Sequence, residues 1–185
     1  MIQNAPLLIK TPRLNLRQFQ SEDTRSIFSL LEDSDVRRGT SHWPDDLEIA
    51  HVRNWLRGIG QQKAAGASLV YAVCDHRLRL MGEVSLVEIY GSTANFTYWL
   101  GRSYWGRGYA TEAGEALLTL ARSLGFKELT ALHLQTNEAS GRVLHKLEFD
   151  FVEMQERSQR GVMQPFKSYR LDLQSRSDTT DFVLA

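Results

Sequence analysis

The chain has 185 residues, 42% hydrophobic and 24% charged, enough to bury a core without a metal or disulfide staple and unlike a disordered or collagenous chain. Lys and Arg number 22, Asp and Glu 22, and the formal net charge is zero, so the long-range positive field that draws in nucleic acid is missing. Cys74 is the only cysteine, which excludes an internal disulfide and suits a reducing compartment. The opening MIQNAPLLIKTPRLNLRQ has no apolar run to act as a signal or anchor, so a cytoplasmic location is expected.

In chain order, Leu8, Leu14 and Leu16 predict a first strand over residues 7–17, broken at its start by Thr11-Pro12. Ser21-Glu22-Asp23 reads as a helix N-cap with acidic residues at the positive helix end, followed by apolar Ile27, Phe28, Leu30 and Leu31. Residues 37–44 read as loop. From Asp45 to about Lys63, the apolar residues Ile49, Val52, Trp55, Leu56 and Ile59 recur every three or four positions, as on one helical face.

Three strand-like runs follow, Ser68 to Cys74, Leu80 to Ile89 and Ala94 to Leu100, and they predict an antiparallel meander. Alternation in the second run puts Leu80, Val84 and Leu86 on one face and Glu83 on the other. Ala113, Leu117, Leu120, Ala121 and Leu124 stripe a helix from Ala110, which Gly125 stops. Thr130 to Thr136 predicts a short strand, Asn137 to about Leu147 a helix, and Phe149 to Arg157 and Gln164 to Leu173 two closing strands. The whole is a mixed α+β fold with a mostly antiparallel sheet of about six to seven strands and about four helices. One domain is expected over 1–173, with 174–185 a loose tail.

Chemistry concentrates in Tyr98-Trp99-Leu100-Gly101-Arg102-Ser103-Tyr104-Trp105-Gly106-Arg107-Gly108-Tyr109-Ala110-Thr111-Glu112-Ala113, a strand leading through a Gly-containing turn into a helix. A helix start offers unpaired N–H groups and the positive end of the macrodipole, and small residues let a phosphate come close. Gly106 and Gly108 alone would equally suit a tight turn. No Gly-Lys-Ser/Thr follows, as a P-loop needs, and the third glycine of the dinucleotide fingerprint is missing. The second element comes about thirty residues on: Asn137-Glu138-Ala139-Ser140-Gly141-Arg142-Val143-Leu144-His145-Lys146-Leu147-Glu148-Phe149.

Together the two elements resemble the GNAT superfamily of N-acetyltransferases. Its pyrophosphate loop, Gln/Arg-x-x-Gly-x-Gly/Ala, is matched from Trp105 to Ala110, its Asn-x-x-Ser helix start at Asn137 and Ser140, and its Lys-Leu-Gly-Phe close at Lys146 to Phe149. Thr11-Pro12-Arg13-Leu14-x-Leu16-Arg17 and Trp105 to Ala113 look like the branch of ribosomal-protein N-terminal acetyltransferases called RimJ and RimL. The resemblance spans about residues 7–173. Trp105 replaces the usual Gln or Arg, which backbone phosphate binding should tolerate. Glu148 replaces the usual Gly, from which the turn before Phe149 is expected not to need a positive φ.

The resemblance implies acetyl-CoA as donor, seated between the strands ending at Leu100 and Thr136. Its pyrophosphate would rest on Gly106, Arg107, Gly108, Tyr109, Ala110 and Thr111, with Trp105 also in the cofactor set, and its pantetheine arm on the backbone of Tyr98, Trp99 and Leu100. Asn137 and Ser140 complete the cofactor set. The family's frequent tyrosine acid falls on Leu144 here, so Ser140 becomes the candidate to hydrogen-bond the CoA sulfur; simple helix capping or packing is the alternative. Glu83, a lone carboxylate in an apolar strand, is the candidate base, with an exposed carboxylate or an Arg partner as the alternative.

Glu112 is explained by helix electrostatics, Glu156 is a reserve, and water is a further proton acceptor. His42, His51, His76, His133 and His145 lack metal-ligand spacing, so no metal is assigned. Trp43, Trp55 and the Arg37-Arg38 pair fall where this family shapes its acceptor cleft, although core packing also suits Trp55. The acceptor implied is a protein N-terminal α-amine, with a small-molecule amine (an amino acid, polyamine or antibiotic) and a non-catalytic acyl-CoA-binding module as alternatives. No nucleic-acid or membrane partner is expected, and monomer and homodimer both stay open.

Overall fold

The computed structural model describes residues 2–40 and 43–174. Its strands are β1 (Leu8–Lys10), β2 (Asn15–Arg17), β3 (Leu69–Cys74), β4 (Leu80–Tyr90), β5 (Thr93–Leu100), β6 (Glu128–Leu134), β7 (Asp150–Gln159) and β8 (Val162–Asp172). The helices are α1 (Thr24–Leu31), α2 (Ser34–Arg38), α3 (Ile49–Ala64), α4 (Tyr109–Ser123) and α5 (Glu138–Lys146). All eight strands form one sheet in the order β1-β2-β3-β4-β5-β6-β8-β7. Every neighbouring pair is antiparallel except β5 and β6, which run parallel. The α+β class holds, with one strand and one helix more than expected.

The extra strand arises because residues 7–17 are a hairpin. The Thr11 N–H donates to the Leu14 carbonyl across its turn (3.0 Å), and Leu8 pairs with Arg17. Proline cannot donate to a ladder, so Thr11-Pro12 marks the bend itself. The extra helix is α2, which starts in residues given no element and overlaps the expected loop only at Arg37 and Arg38; at its start the Asp33 side chain accepts from the N–H groups of Asp35 and Val36.

Other boundaries moved for similar reasons. Gln20, not Ser21, caps the 3-10 turn Ser21–Asp23 that precedes α1, and the Asp23 carboxylate takes the Gln20 N–H (2.8 Å) and two nitrogens of Arg17 (2.7 Å each). Helix α3 starts at Ile49, where Glu48 and His51 cap each other. Glu148 does take a left-handed conformation, φ +63°; the turn after α5 has the geometry a glycine usually serves, and a non-glycine residue bears its steric cost. The tail beyond Gln174 and His42 lie outside the described residues.

Apolar side chains fill both faces of the sheet. One face packs on α4 and α5, with Phe96, Leu117, Leu129, Leu144 and Leu147 in one cluster. The other packs on α1 and α3, with Ile27, Trp43, Val52, Ala72 and Trp99. Val84 and Leu86 belong to the first cluster but Leu80 to the second. A register shift opposite Val73 and Cys74 inserts one residue between Leu80 and Gly82, and a bulge of this kind reverses the alternation that sequence spacing assumes.

Candidate active site

β5 and β6 pair only from Thr93 to Asn95 and from Glu128 to Thr130, then diverge. On its other side β5 stays paired with β4 as far as Leu100 and Gly82, so the end of β5 offers one unpaired backbone edge to a wedge-shaped gap. Apart from the Leu100 carbonyl, which accepts the Trp105 indole N–H, the main-chain groups along this edge need partners. An extended chain with its own amides, such as a pantetheine arm, can supply them by strand-like pairing. On the β4 side, Gly82 lets the two strands approach closely at this end, since a Cβ there would collide with the Trp99 carbonyl and Leu100.

Beside the gap lies a cavity of about 340 Å³. It is walled by the end of β5, the turn into α4, the first turns of α4 and α5, and α2. At its base Gly108, φ +79°, is the N-cap of α4. A left-handed residue at that point lets the chain turn sharply into the helix without a side chain between backbone and cavity. A helix start of this kind, with unpaired first-turn N–H groups, suits an anion.

Eleven of the residues picked from sequence line this cavity: Tyr98, Trp99, Leu100, Trp105, Gly106, Gly108, Tyr109, Ala110, Thr111, Asn137 and Ser140. Two do not. Arg107 is exposed, with its carbonyl turned onto the Arg13 guanidinium (2.9 Å). Glu83 lies behind Trp99, whose indole Nε1 donates to it (2.6 Å), and it takes a second bond from the Ser85 hydroxyl (2.7 Å). It is neither exposed nor paired with an Arg. Its removal from water pushes the pKa above the usual carboxylate value, and the bonds from Ser85 and Trp99 only partly oppose that.

Ser140 is held at the start of α5 from two directions. The Asn137 side chain accepts its N–H (3.1 Å) and the Tyr98 hydroxyl donates to its carbonyl (3.2 Å), which leaves the side-chain hydroxyl available. Burial lifts the Tyr98 phenol to about 12 against the opposing pull of that bond, so it stays protonated at neutral pH. The indole of Trp105 folds back on the strand end and donates to the Leu100 carbonyl (2.7 Å). That bond gives the unusual tryptophan a structural task.

Sequence reasoning missed the α2 wall, formed by Asp35, Val36 and Gly39, and the basic pair Arg142 and Lys146 that lines the cavity from α5. Their spacing of four was visible as one helical face of positive charge, suited to an anionic ligand. Trp43 and Trp55 pack against each other, 5.3 Å between ring centroids, in the α1/α3 core, and neither lines this cavity. Among the described residues no group of three or more His, Cys, Asp or Glu side chains is placed to hold a metal, and no helix is long and apolar enough to cross a membrane.

Residues 13–150 match the family model described as the acetyltransferase (GNAT) domain. The chain belongs to the GNAT acetyltransferase family. A Bacillus subtilis relative, YkkB, whose own function is uncharacterized, is 31% identical over 149 residues, 78% of this chain and 86% of the relative. The GNAT fold is matched with a TM-score of 0.81 and 19% identity by RimL, a ribosomal L7/L12 α-N-protein acetyltransferase solved with coenzyme A, over 89% of this chain and 97% of that one. The microcin C7 self-immunity acetyltransferase MccE, solved with acetyl-CoA and AMP, gives a TM-score of 0.79 and 17% identity over 88% and 93%. The family model describes an acetyltransferase domain, and this GNAT chain is an acetyltransferase by family; coenzyme A and acetyl-CoA are the groups bound in the solved RimL and MccE.

Proposed function

We propose that the protein transfers the acetyl group of acetyl-CoA to a primary amine, with the α-amine of a protein N-terminus as acceptor. The observation that carries the donor half is the unpaired edge of β5 running into the left-handed N-cap of α4, which together suit an amide-bearing arm ending in a diphosphate. The acceptor half is supported by the N-terminal Thr-Pro-Arg-Leu and Trp105-to-Ala113 phrases and by the fold shared with RimL.

Acetyl-CoA supplies the acyl group as an activated thioester. Backbone N–H groups at the end of β5 position and polarise its carbonyl. The amine nitrogen bonds to the acyl carbon, the carbon–sulfur bond breaks, and the Ser140 hydroxyl hydrogen-bonds the departing sulfur. The amine's surplus proton goes to water or to Glu83. What supports Glu83 is a hydroxyl chain that ends on it: the Thr97 and Ser85 hydroxyls lie 2.7 Å apart and Ser85 donates to the carboxylate. A carboxylate whose pKa is lifted by burial is a stronger base than an exposed one.

A purified sample incubated with acetyl-CoA and an amine panel tests this. The panel holds short peptides with free N-termini, the same peptides blocked, amino acids and polyamines, with thiol release as readout. Release driven by free but not blocked peptides supports the reading. Release only with small amines replaces the acceptor, and no release from any acceptor refutes turnover.

A further inference from the structure

The first turn of α4 contains a contradiction. A helix start that seats a diphosphate carries its own carboxylate, Glu112, and like charges in one helix turn repel. The structure resolves it through the N-terminal hairpin, 99 residues away in sequence. Glu112 accepts the Thr11 hydroxyl (2.6 Å), the Arg13 backbone N–H (2.8 Å) and the Arg13 Nε (2.5 Å). Burial alone would raise its pKa, yet these bonds outweigh burial and hold it below the ordinary glutamate value.

The same guanidinium does a second job. Its Nη1 donates to the Arg107 carbonyl (2.9 Å), and its Cζ lies over the Tyr109 ring, 4.7 Å from the centroid. In a trans peptide the carbonyl and the following N–H point in opposite directions. Holding the Arg107 carbonyl toward Arg13 therefore turns the Gly108 N–H away from it. Gly108 lines the cavity, and a Cβ on it would sit 3.4 Å from Arg13 Nη2, so the guanidinium packs directly against this turn.

We propose that Arg13 is a positioning residue for the donor: it braces the turn before α4 so that the Gly108 N–H faces the diphosphate, and it neutralises Glu112 so that the helix start stays attractive to an anion. A planar fork serves both partners at once, whereas a lysine ammonium keeps the charge but not the paired geometry. Thr11 fixes the hairpin end, its hydroxyl also taking the Leu14 N–H (2.9 Å). The inference rests on the assignment of the α4 start as the diphosphate seat.

Coenzyme A binding to the full chain, measured by calorimetry, with the Gly108 amide followed by ¹⁵N NMR, tests it alongside thermal unfolding. Arg13→Lys and Arg13→Gln should each raise the CoA dissociation constant about tenfold or more and shrink the Gly108 shift on CoA addition. Glu112→Gln, whose amide oxygen still accepts the Thr11 hydroxyl and the Arg13 backbone N–H although the Arg13 Nε bond is lost, should stay within about threefold of the parent, even where it costs comparable unfolding temperature. If affinity falls in all three variants in proportion to stability, the brace is merely structural and the proposal fails. It fails likewise if the parent binds CoA at Gly108 and the Arg13 variants bind as tightly. A parent whose Gly108 resonance ignores bound CoA would instead overturn the seat itself.

Discussion

Gly108→Asp separates stability from cofactor affinity more sharply than any other single change. Gly108 adopts φ +79°, a conformation that costs an ordinary L-residue about 1 kcal/mol and Asp less than most. As an N-cap, an aspartate gains about 1 kcal/mol by accepting first-turn N–H groups and by lying at the positive helix end. The free protein should therefore change little in stability. With a diphosphate present, the new carboxylate lies about 5 Å from a phosphate charge, and at an effective dielectric of ~20 that repulsion is about 3 kcal/mol.

The Arg13 guanidinium next to Gly108 offsets part of the repulsion, which leaves a loss of about 10- to 100-fold in CoA affinity. Gly108→Ala is the control, since it carries the φ strain without the charge; it should lose about 1 kcal/mol of stability and only a few-fold in affinity. Calorimetric titration with CoA and thermal unfolding read both quantities. A folded Gly108→Asp protein that binds CoA within about threefold of the parent would refute the electrostatic reasoning.

Ser140→Ala should lower kcat about tenfold or more while leaving the CoA dissociation constant within about twofold, because the backbone bonds to Asn137 and Tyr98 do not use the hydroxyl; a variant of full rate removes Ser140 from the chemistry. Glu83→Gln should flatten the acid limb of the kcat/KM profile, which in the parent climbs with pH as a carboxylate of raised pKa ionises. The sign for stability follows from the same shift. The folded state holds the Glu83 proton to higher pH than the unfolded state does, so the parent loses stability as pH rises from about 4.3 through the folded pKa. Glu83→Gln, which cannot ionise, should escape that loss in pH-resolved unfolding experiments, and an unchanged slope would contradict the burial. Glu112 has the opposite sign: its lowered pKa adds stability above about pH 4.3 that disappears as pH falls through the folded pKa. Glu112→Gln should therefore reduce the acid sensitivity of unfolding in the same experiment.

Helix α4 was legible from its apolar stripe, and the β3 to β5 meander from apolar runs separated by turn residues, although the sheet is buried on both faces; the two motifs fell at strand-to-helix junctions where an anion seat is mechanically possible. Short and long-range features were not. Helix α2 spans five residues with only Val36 buried, too few to show a period, and its signal was the capping Asp33. A single inserted residue in β4 moved Leu80 to the opposite core, since alternation carries no record of a bulge. Glu148 shows the converse: lack of glycine did not imply lack of positive φ, because packing around the close of α5 outweighs a local cost of about 1 kcal/mol. At the site, Glu83 was found as a lone carboxylate in an apolar strand, but its partners Trp99 and Ser85 come from sheet register. Glu112 was read as helix electrostatics, and only the folded hairpin reveals that it is tied to Arg13.

A crystal structure of the protein with coenzyme A bears most directly on the whole assignment. The diphosphate oxygens should lie within hydrogen-bond distance of backbone N–H groups between Gly106 and Thr111, with the pantetheine amides along the free edge of Tyr98 to Leu100. A cofactor bound elsewhere, or a diphosphate held only by side chains with those amides facing solvent, would contradict it.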